Sequence, residues 1–365
     1  MPNIAVISRQ SARQLIMKVG NHKNHNRRTT AVGVLVTGAT GLVGNNVVRQ
    51  LLETQERVRV LVREGSPPEP LQGLDIEIIH GDVCDEKAAR RACEDMSVVI
   101  HAAARVHIGW SCLDLLRRVN VEGTRHVAAA AHEVGARLIH VSSVDTLGVG
   151  SWEEPANEKT PRVGKTPCSY VISKREAEQV VHEFIDDGLD AVITNPSLMF
   201  GPWDWKPSSG RMMVEVANTF TPLAPTGAIS VCDVRDAAAG IISAVENGRA
   251  GNNYILAGHN ITYFDLWKKI AKVSGGGAPI ARLGPITGII AGKAYDVWGK
   301  VIGKEPDINS ASIAMSRLYN CYHSDKAVNE LDYKIRPLDD ILDDAWQWHS
   351  QRATGAIPTA QSLGT

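Results

Sequence analysis

The sequence predicts an α/β fold, a doubly wound parallel sheet with a smaller, mostly helical C-terminal lobe. Three observations support this prediction. From residue 33 onward, short runs rich in β-branched residues alternate with segments of helical periodicity, a pattern typical of parallel strands joined by crossover helices. A glycine-rich turn directly follows the first run. After Pro202, a segment rich in Gly, Pro and Trp gives way to mainly helical patterns.

The strand-like runs follow one another at intervals that leave room for helices. In chain order they are GVLVTG (33–38), VRVLV (58–62), DIEIIHG (75–81), SVVIHAA (97–103), RLIHVSS (137–143) and AVITNPS (191–197). A further strand is predicted at 253–257 and a helix at 262–273. The longest weakly charged stretch, 283–303, is rich in Gly and interrupted by three charged residues. We therefore predict a surface helix there that closes a domain, rather than one that spans a membrane.

The composition is that of a globular protein with a sizeable core. Of 365 residues, 44% are hydrophobic and 22% charged, which excludes a disordered chain. The 39 basic and 40 acidic residues nearly cancel, so bulk charge gives no reason to expect a nucleic acid partner. The six cysteines form no CxxC pair. This favours reduced thiols in a cytoplasmic protein, with no metal site.

Residues 1–30 differ from the rest because they contain six basic residues and no acidic one. Without them, 33 basic residues face 40 acidic ones, a formal charge of −7. An Arg-rich segment without acids resembles an organelle transit peptide, but a basic tail or a start codon placed too far upstream also fits. Since the segment lacks an apolar core region and a clear amphipathic helix, we expect a tail outside the fold.

The turn after the first strand predicts a dinucleotide-binding site. Gly38, Gly41 and Gly44 are spaced GxxGxxG between a strand and an amphipathic helix. In such a motif the first glycine permits the tight turn, the second lets the backbone approach a pyrophosphate, and the third lets the helix pack closely on the strand. The helix N-terminus offers free N–H groups and the positive end of its dipole to the phosphates.

The end of the second strand favours NADP(H) over NAD(H). An acidic residue there binds the adenosine ribose hydroxyls of NAD, whereas a cation accommodates the 2′-phosphate of NADP. Nineteen residues after the last glycine of the motif stands Arg63, followed by Glu64. If Arg63 points into the site, strand alternation turns Glu64 away. Asp82, before Val83, would lie near the adenine amino group or cap a helix from Glu86 onward.

Tyr170 and Lys174 form a candidate proton-transfer pair. They are four residues apart in SYVISKREAEQVV, so on a helix they share one face. A Lys ammonium beside a phenol favours the phenolate and lowers the pKa of the tyrosine towards the working range of a general acid. Ser143, in HVSSVDTLG at a neighbouring strand end, is placed to bind a substrate oxygen whose charge changes during hydride transfer.

The ordered motifs TGATGLVG, HAAA, RVNVEGT, VSS, YxxxK and NPS, between Val32 and about His349, resemble those of extended short-chain dehydrogenase/reductases, the NAD-dependent epimerase/dehydratase family. The resemblance implies a Rossmann domain at 31–200 plus about 229–257, a substrate lobe at about 201–228 plus 258–350, and a tail at 351–365.

The resemblance also implies which residues contact the cofactor. The phosphate loop consists of Thr37, Gly38, Thr40, Gly41, Leu42, Val43 and Gly44. Asp82 and Val83 contact adenine, the wall along the cofactor is formed by Ala102, Ala103 and Ala104, and Pro196 and Ser197 lie near the nicotinamide.

The resemblance further implies a catalytic set of Ser143, Tyr170 and Lys174. Asn120 supports the catalytic Lys through backbone and water.

Within that family, VRVLVRE, NPSLMFGPWDWKPSSGR, YILAGHNIT and SDKAVNELDYKIRPLDDIL resemble dihydroflavonol 4-reductase-like proteins and hopanoid-associated sugar epimerases. We therefore expect NADP(H)-dependent reduction of a ketone to an alcohol, with Tyr170 as proton donor. The alternatives are a nucleotide-sugar epimerase or dehydratase with tightly bound cofactor, and a non-catalytic NADP(H)-binding protein. Because relatives often dimerise through the helices at roughly 112–134 and 170–186, we also expect a homodimer, with the small residues 128–131 suited to close helix contact.

Asp145 departs from the pattern of the reductase-like relatives, which usually have a small residue there. Nucleotide-sugar dehydratases have a catalytic Asp-Glu pair at the positions of Val144 and Asp145, so Asp145 is either a third acid/base group or a turn cap. Asp236, in SVCDVRDAAAGI, matches a family carboxylate before a helix and is interpreted as structural.

Candidate substrate contacts follow the fourth and sixth predicted strands. Besides Ser143 and Asp145, they are Arg105, His107, Met199, Trp203 and Arg211, with packing within the lobe as the alternative. Trp and Met favour an apolar or ring-shaped substrate, whereas the arginines suit a nucleotide diphosphate. The sequence leaves this choice open.

Overall fold

The computed structural model describes residues 33–354, except residues 55 and 208. The predicted basic tail at 1–30 and most of the predicted tail at 351–365 lie outside the described residues.

The strands are β1 (Gly33–Thr37), β2 (Arg57–Val62), β3 (Glu77–His80), β4 (Val98–His101), β5 (Arg137–Val141), β6 (Ala191–Pro196), β7 (Leu198–Phe200), β8 (Leu223–Ala224), β9 (Ala228–Asp233), β10 (Asn253–Leu256), β11 (His259–Thr262), β12 (Ala281–Arg282) and β13 (Tyr319–Asn320). Seven of them form one parallel sheet in the order β10-β6-β5-β4-β1-β2-β3. This confirms the predicted fold class.

The helices are α1 (Leu42–Glu53), α2 (Glu86–Cys93), α3 (Leu113–Leu116), α4 (Gly123–Val134), α5 (Ser169–Asp186), α6 (Ser209–Asn218), α7 (Val234–Asn247), α8 (Tyr263–Ser274), α9 (Pro285–Ile302), α10 (Ser310–Ser316), α11 (Asp325–Leu331) and α12 (Leu338–Ala353). A π-helical segment, Arg117–Glu122, joins α3 to α4. Because helix α12 ends at Ala353, it extends into the segment 351–365 that is predicted as a tail.

A hydrophobic core covers each face of the large sheet. On one face α1 and α7 pack through residues such as Val48 and Ile241. On the other, α2, α4 and α5 pack through Ala88, Ala128 and Val181. Burial on both faces explains why the strands read as nearly continuous apolar runs.

Of the four small residues predicted for a helix contact between two copies, only Ala129 is partly exposed. Ala128, Ala130 and Ala131 are buried in the core of their own chain, against the large sheet. They therefore have no surface to offer a second copy. The prediction of a homodimer itself stays a prediction.

The strand order reverses beside β1. From β1 the chain builds β2 and β3 on one side, then crosses to β4 and continues with β5, β6 and β10 on the other. In doubly wound sheets, ligands bind in the crevice at such a switch point, outside the carboxyl ends of the strands.

The smaller lobe has its own sheet, in which β9 pairs with β7, β11 and β13. Helices α6, α8 and α12 pack on it around Phe200, Leu266 and Ile341. Strand β9 thus belongs to the lobe sheet. The elements that follow it return to the large sheet: α7 packs on its face, and β10 is its edge strand.

The surface helix predicted at 283–303 is present as α9, which spans Pro285–Ile302. In the part of the chain that the structure describes, no helix combines the length and apolar character needed to cross a membrane.

Candidate functional site

The glycine-rich turn has the shape that its sequence predicts. Gly38 has a φ of +74°, and a Cβ there would lie 2.7 Å from the backbone of Ala102. A Cβ on Gly44 would overlap the carbonyl oxygen of Gly38. Both positions therefore require glycine because of contacts within the protein rather than with a ligand. Gly38 lets β1 approach the end of β4, and Gly44 lets α1 pack closely on the turn.

Gly41 and the start of α1 form an open cradle. A Cβ on Gly41 would meet only the Gly38 oxygen, at 3.3 Å. Helix α1 starts after Gly41 without a capping side chain, so no side chain of the cap occupies its first N–H groups. An uncapped helix N-terminus beside glycine fits a pyrophosphate group.

A buried hydrogen-bond chain that the sequence did not indicate holds the end of β1. The Thr37 Oγ1 lies 2.7 Å from His101 Nδ1 and accepts a hydrogen bond from the Ala103 N–H at 3.2 Å. The other ring nitrogen of His101 lies 3.0 Å from Thr124 Oγ1. Burial lowers the pKa of His101 to about 3. The ring therefore stays neutral, and it fixes the wall formed by residues 102–104.

A cleft of about 530 Å³ lies beyond the ends of β2 and β3. It is lined by Arg63, Glu64, Gly65, Ser66, Pro67, His80, Gly81, Asp82, Asp85, Arg91 and Lys206. The prediction that Glu64 turns away is wrong, because the chain leaves the strand after Val62 and both residues line the cleft. The cleft nevertheless holds the cations Arg91 and Lys206, which the sequence did not identify.

Asp82 does not cap α2. Its carboxylate accepts a hydrogen bond from the Cys84 N–H at 2.9 Å, and the cap of α2 is Asp85, which accepts from the Lys87 N–H. Val83 is buried against Gly123. Asp82 itself lines the cleft.

Ser143, Tyr170 and Lys174 converge at the carboxyl end of β5. Tyr170 and Lys174 lie on α5 and are buried. The Ser143 hydroxyl acts on the Tyr170 phenol, and its oxygen accepts a hydrogen bond from the Asp145 N–H at 3.1 Å. The Lys174 Nζ donates to the Val141 carbonyl oxygen at 2.9 Å. The structure thus brings together the three side chains predicted to be catalytic.

The pKa of Tyr170 shifts in the direction opposite to the one expected from Lys174 alone. Burial raises it and the negative charge of Asp145 adds to this, while the Ser143 hydroxyl opposes it. Burial lowers the pKa of Lys174 to about 8. Desolvation therefore outweighs the attraction that the YxxxK spacing suggested.

Asn120 supports the site from the π-helical segment. Its side chain accepts a hydrogen bond from the Arg105 N–H at 2.7 Å and donates to the Arg105 carbonyl oxygen at 3.0 Å. It also donates to Ser173 Oγ at 3.0 Å, beside Lys174. Asn120 therefore ties the loop of residues 102–112, which we call the pocket loop, to α5.

Asp145 belongs to a buried ion pair that the sequence did not indicate. The Lys165 ammonium, fully buried, donates to the Asp145 carboxylate at 3.1 Å and to Asn320 Oδ1 at 2.7 Å. Burial lowers the pKa of Lys165, and Asp145 opposes this shift. Asp145 itself is only partly buried and its charge acts on Tyr170. The carboxylate is therefore held in place beside the tyrosine.

The remaining candidate substrate residues separate into two groups. Trp203 supports the packing alternative, because it is buried against Trp348 with the Arg49 guanidinium 3.3 Å from its ring centre. Arg211 is exposed and pairs with Asp307 at 3.0 Å. Arg105 and His107 follow β4, Pro196 and Ser197 lie at the end of β6, and Met199 lies within β7.

Glu305, far from the pocket loop in sequence, holds that loop in place. The Glu305 carboxylate lies 2.7 Å from His107 Nε2 and accepts hydrogen bonds from the Trp110 and Ser111 N–H groups. These contacts lower the pKa of Glu305 to about 2, although burial opposes them. Among the described residues, no cluster of His, Cys, Asp or Glu could hold a metal ion.

The sequence profile of the NAD dependent epimerase/dehydratase family matches residues 34–257, from β1 to just after β10. The chain is a member of this family.

Relatives within the epimerase/dehydratase family extend over most of the chain. A Synechocystis sp. protein named "Putative dihydroflavonol 4-reductase" is 32% identical over 323 residues, 86% of this chain and 93% of that protein. "Sterol demethylase protein B" of Methylococcus capsulatus is 32% identical over 253 residues, 69% of this chain and 77% of that protein. The crystal structure of gox2253 superposes with a TM-score of 0.77 at 34% identity, covering 90% of this chain and all of that one.

Membership of the epimerase/dehydratase family makes the chain an NAD(P)-dependent enzyme that acts on a small molecule. The cradle at Gly41 and α1, the wall at 102–104 and the cleft beyond β2 lie where such a dinucleotide binds in a doubly wound sheet. The residues present therefore fit the cofactor of the family.

Proposed function

We propose that the protein is an NADP(H)-dependent oxidoreductase that reduces a ketone to an alcohol. The observation that carries this proposal is the convergence of Ser143, Tyr170 and Lys174 beside the dinucleotide cradle. The Ser143 hydroxyl lies near enough to Tyr170 to act on its pKa, and Lys174 is held at the end of the same strand. A carbonyl oxygen placed there meets a hydrogen-bond donor and a proton donor together.

A bound nicotinamide dinucleotide supplies the hydride for this reaction. Tyr170 holds its proton at neutral pH, because burial keeps its pKa above the ordinary value. The tyrosine gives that proton to the substrate oxygen as negative charge develops on it. Lys174, fixed by the Val141 carbonyl, provides the positive charge that stabilises the tyrosinate left behind. In the reverse direction the same tyrosinate removes the proton of an alcohol.

The cleft beyond β2 supports the preference for NADP(H). Arg63, Arg91 and Lys206 line it together, and a phosphate ester is recognised by such groups of cations. The carboxylates of Glu64 and Asp82 lie in the same cleft. We assign the cations to the 2′-phosphate and Asp82 to the adenine side.

A nucleotide-sugar epimerase or dehydratase is the second candidate. The partly exposed Asp145 carboxylate favours it, because it supplies a further acid/base group near Tyr170. The other position of the dehydratase pair does not: Val144 is buried in an apolar cluster with Leu147 and Tyr322. We therefore favour the reductase and assign Asp145 to substrate orientation.

The test is the oxidation of NADPH and NADH by the purified protein across flavonoid, steroid and sugar-nucleotide ketones. The absorption spectrum of the protein as isolated is recorded first. We expect no stoichiometric bound cofactor, turnover of a ketone, and a higher kcat/KM for NADPH. Stoichiometric NAD⁺ in the isolated protein, with no NADPH oxidation by any ketone, would show an epimerase or dehydratase instead.

A further inference from the structure

Helix α9 presents an apolar face that no described part of the chain covers. Ile286, Ile290, Val297 and Val301 are 72, 62, 61 and 73% exposed. Trp298, beside them, is 57% exposed. Exposed apolar side chains are ordinary when scattered, but a continuous row of them along one helix indicates a binding surface. We call these five residues the α9 face.

Glycines fix the opposite side of α9 to the protein. Gly288, Gly292 and Gly299 are the buried residues of this helix. A Cβ on Gly292 would lie 2.9 Å from Ser310, and one on Gly299 would lie 2.6 Å from Pro306. With 3.6 residues per turn, the α9 face lies on the side away from these glycines. The backbone therefore packs tightly inward while the large side chains point outward.

The surroundings of the α9 face are basic. From Ile280 to Lys304 the cations are Arg282, Lys293, Lys300 and Lys304, and the single acid is Asp296. The Asp296 carboxylate accepts a hydrogen bond from the Ser310 N–H, so it is turned towards the protein. Lys293 and Lys300 are seven residues apart and exposed, on one border of the α9 face. The surface thus combines apolar side chains with positive charge.

We propose that α9 docks the protein on the surface of an anionic lipid bilayer. An apolar face with Trp, bordered by lysines, is the pattern of helices that lie in the membrane interface. The apolar side chains enter the acyl boundary and the lysines pair with anionic headgroups. The docking is peripheral, since α9 contains charged residues and does not span the membrane.

Charge distinguishes this partner from two others. A second copy docked face to face would bring Lys293 and Lys300 of both copies onto one interface, with no acidic partner on the α9 face. The N-terminal residues 1–30 carry six basic residues and no acid, so they too are repelled. An anionic lipid surface is the partner that satisfies both the apolar and the positive character of the α9 face.

The docking surface is connected to the candidate active site. Helix α10, on which α9 packs, contributes Ala311 and Met315 to the apolar cluster that contains Tyr170. Glu305, between α9 and α10, holds the pocket loop. The pocket thus lies one helix layer from the lipid. An apolar carbonyl dissolved in the membrane is then the favoured substrate class; this consequence rests on the proposed function, whereas the docking does not.

The first test is co-sedimentation of the full chain with lipid vesicles at low salt. One set of vesicles is phosphatidylcholine alone, and the other has about a quarter phosphatidylglycerol to give a negative surface. We expect binding to the anionic vesicles that weakens with salt. Equal sedimentation with and without anionic vesicles would overturn the proposal.

Matched variants assign the binding to the α9 face. Ile290→Gln with Val301→Gln should weaken vesicle partitioning about tenfold or more, whereas Ile78→Gln with Val134→Gln, also exposed apolar positions, should leave it unchanged. Lys293→Gln and Lys300→Gln should each weaken it about fivefold, in contrast to Lys87→Gln and Lys272→Gln. If the α9 variants bind as the wild type does, the basic N-terminal segment carries the binding and the proposal fails.

A second readout locates the contact. Brominated lipids quench tryptophans that enter the acyl boundary. The quenching should be lost in Trp298→Phe and retained in Trp152→Phe, which removes another exposed tryptophan. Sedimentation velocity tests the remaining outcome, in which a second copy covers the α9 face. That outcome would be shown if the wild type binds no vesicles and forms a dimer, and if Ile290→Gln with Val301→Gln dissociates this dimer.

Discussion

The two halves of the candidate site are built by different means. The cofactor half is shaped by backbone and small residues: Gly38 approaches Ala102 and Gly44 approaches Gly38. The substrate half is shaped by charged side chains that meet across long distances in sequence, as Lys165 meets Asn320 and His107 meets Glu305. In the proposed function, the first half binds the cofactor of the family and the second binds the substrate. Substitutions in the two halves should therefore affect different measurable quantities.

The largest effect is expected where the two halves meet. Tyr170→Phe removes the proton donor while keeping the buried ring, so kcat for ketone reduction should fall about a thousandfold. The dissociation constant of NADPH should stay within a few-fold of the wild-type value. Tyr319→Phe, at an exposed tyrosine of the lobe, is the control and should keep full activity. A fully active Tyr170→Phe would contradict the role of Tyr170 as proton donor.

A glycine pair tests whether the cofactor half depends on close backbone contact. Gly38 and Gly73 both have positive φ, +74° and +77°, but a Cβ at Gly73 would meet nothing within 4 Å. Gly73→Ala should lower the free energy of unfolding by about 1 kcal/mol, for the backbone alone. Gly38→Ala should lower it by about 3 kcal/mol and abolish NADPH binding. Equal effects in urea unfolding and cofactor titration would show that contact with Ala102 does not matter.

The substrate half is tested by separating the ion pair of Asp145 and Lys165. Asp145→Asn leaves the buried ammonium without its carboxylate and should cost about 3 kcal/mol in the free energy of unfolding. Lys165→Met should cost less, since Asp145 is partly exposed, and the double variant should recover part of the loss. Urea unfolding measures these differences, and additive losses would contradict direct coupling.

The same substitution has a signature in activity. Because the negative charge of Asp145 raises the pKa of Tyr170, Asp145→Asn should move the pH profile of alcohol oxidation to lower pH. The KM of the carbonyl substrate should rise, while the dissociation constant of NADPH should not change. A changed NADPH affinity with an unmoved pH profile would assign Asp145 to the cofactor half.

Lys174 gives a smaller effect with a defined pH window. Burial lowers its pKa in the folded chain from the ordinary value of 10.5 to about 8. Between these values the unfolded chain binds more protons, so the stability of the folded chain rises with pH. Between pH 7.5 and pH 9.5, the free energy of unfolding of the wild type should rise by about 2 kcal/mol relative to that of Lys174→Met. A parallel pair of stability curves would show that the ammonium is not desolvated.

The sequence predicted the fold and the cofactor half because their signals are local. The GxxGxxG turn, the YxxxK spacing and the alternating runs each lie within a few residues. Arg91 and Lys206 were missed, as they reach the cleft from α2 and from the segment after β7.

The substrate half was less predictable because its partners are set by the tertiary fold. Nothing near Lys165 indicates that Asn320 accepts its hydrogen bond, and Glu305 lies almost 200 residues from the pocket loop it closes. The direction of the Tyr170 shift was also missed, since burial cannot be read from the spacing of two residues. Trp203 was a candidate by composition alone, and its neighbours Arg49 and Trp348 come from distant helices.

The most direct test of the account is the fate of hydride from deuterated cofactor. The purified protein is incubated with NADPH that carries deuterium at both C4 positions of the nicotinamide and with a ketone that it turns over, and the product is analysed by mass spectrometry. We expect one deuterium in each released alcohol and one equivalent of NADP⁺, with the reaction lost in Tyr170→Phe. Product without deuterium and without accumulation of NADP⁺ would contradict it.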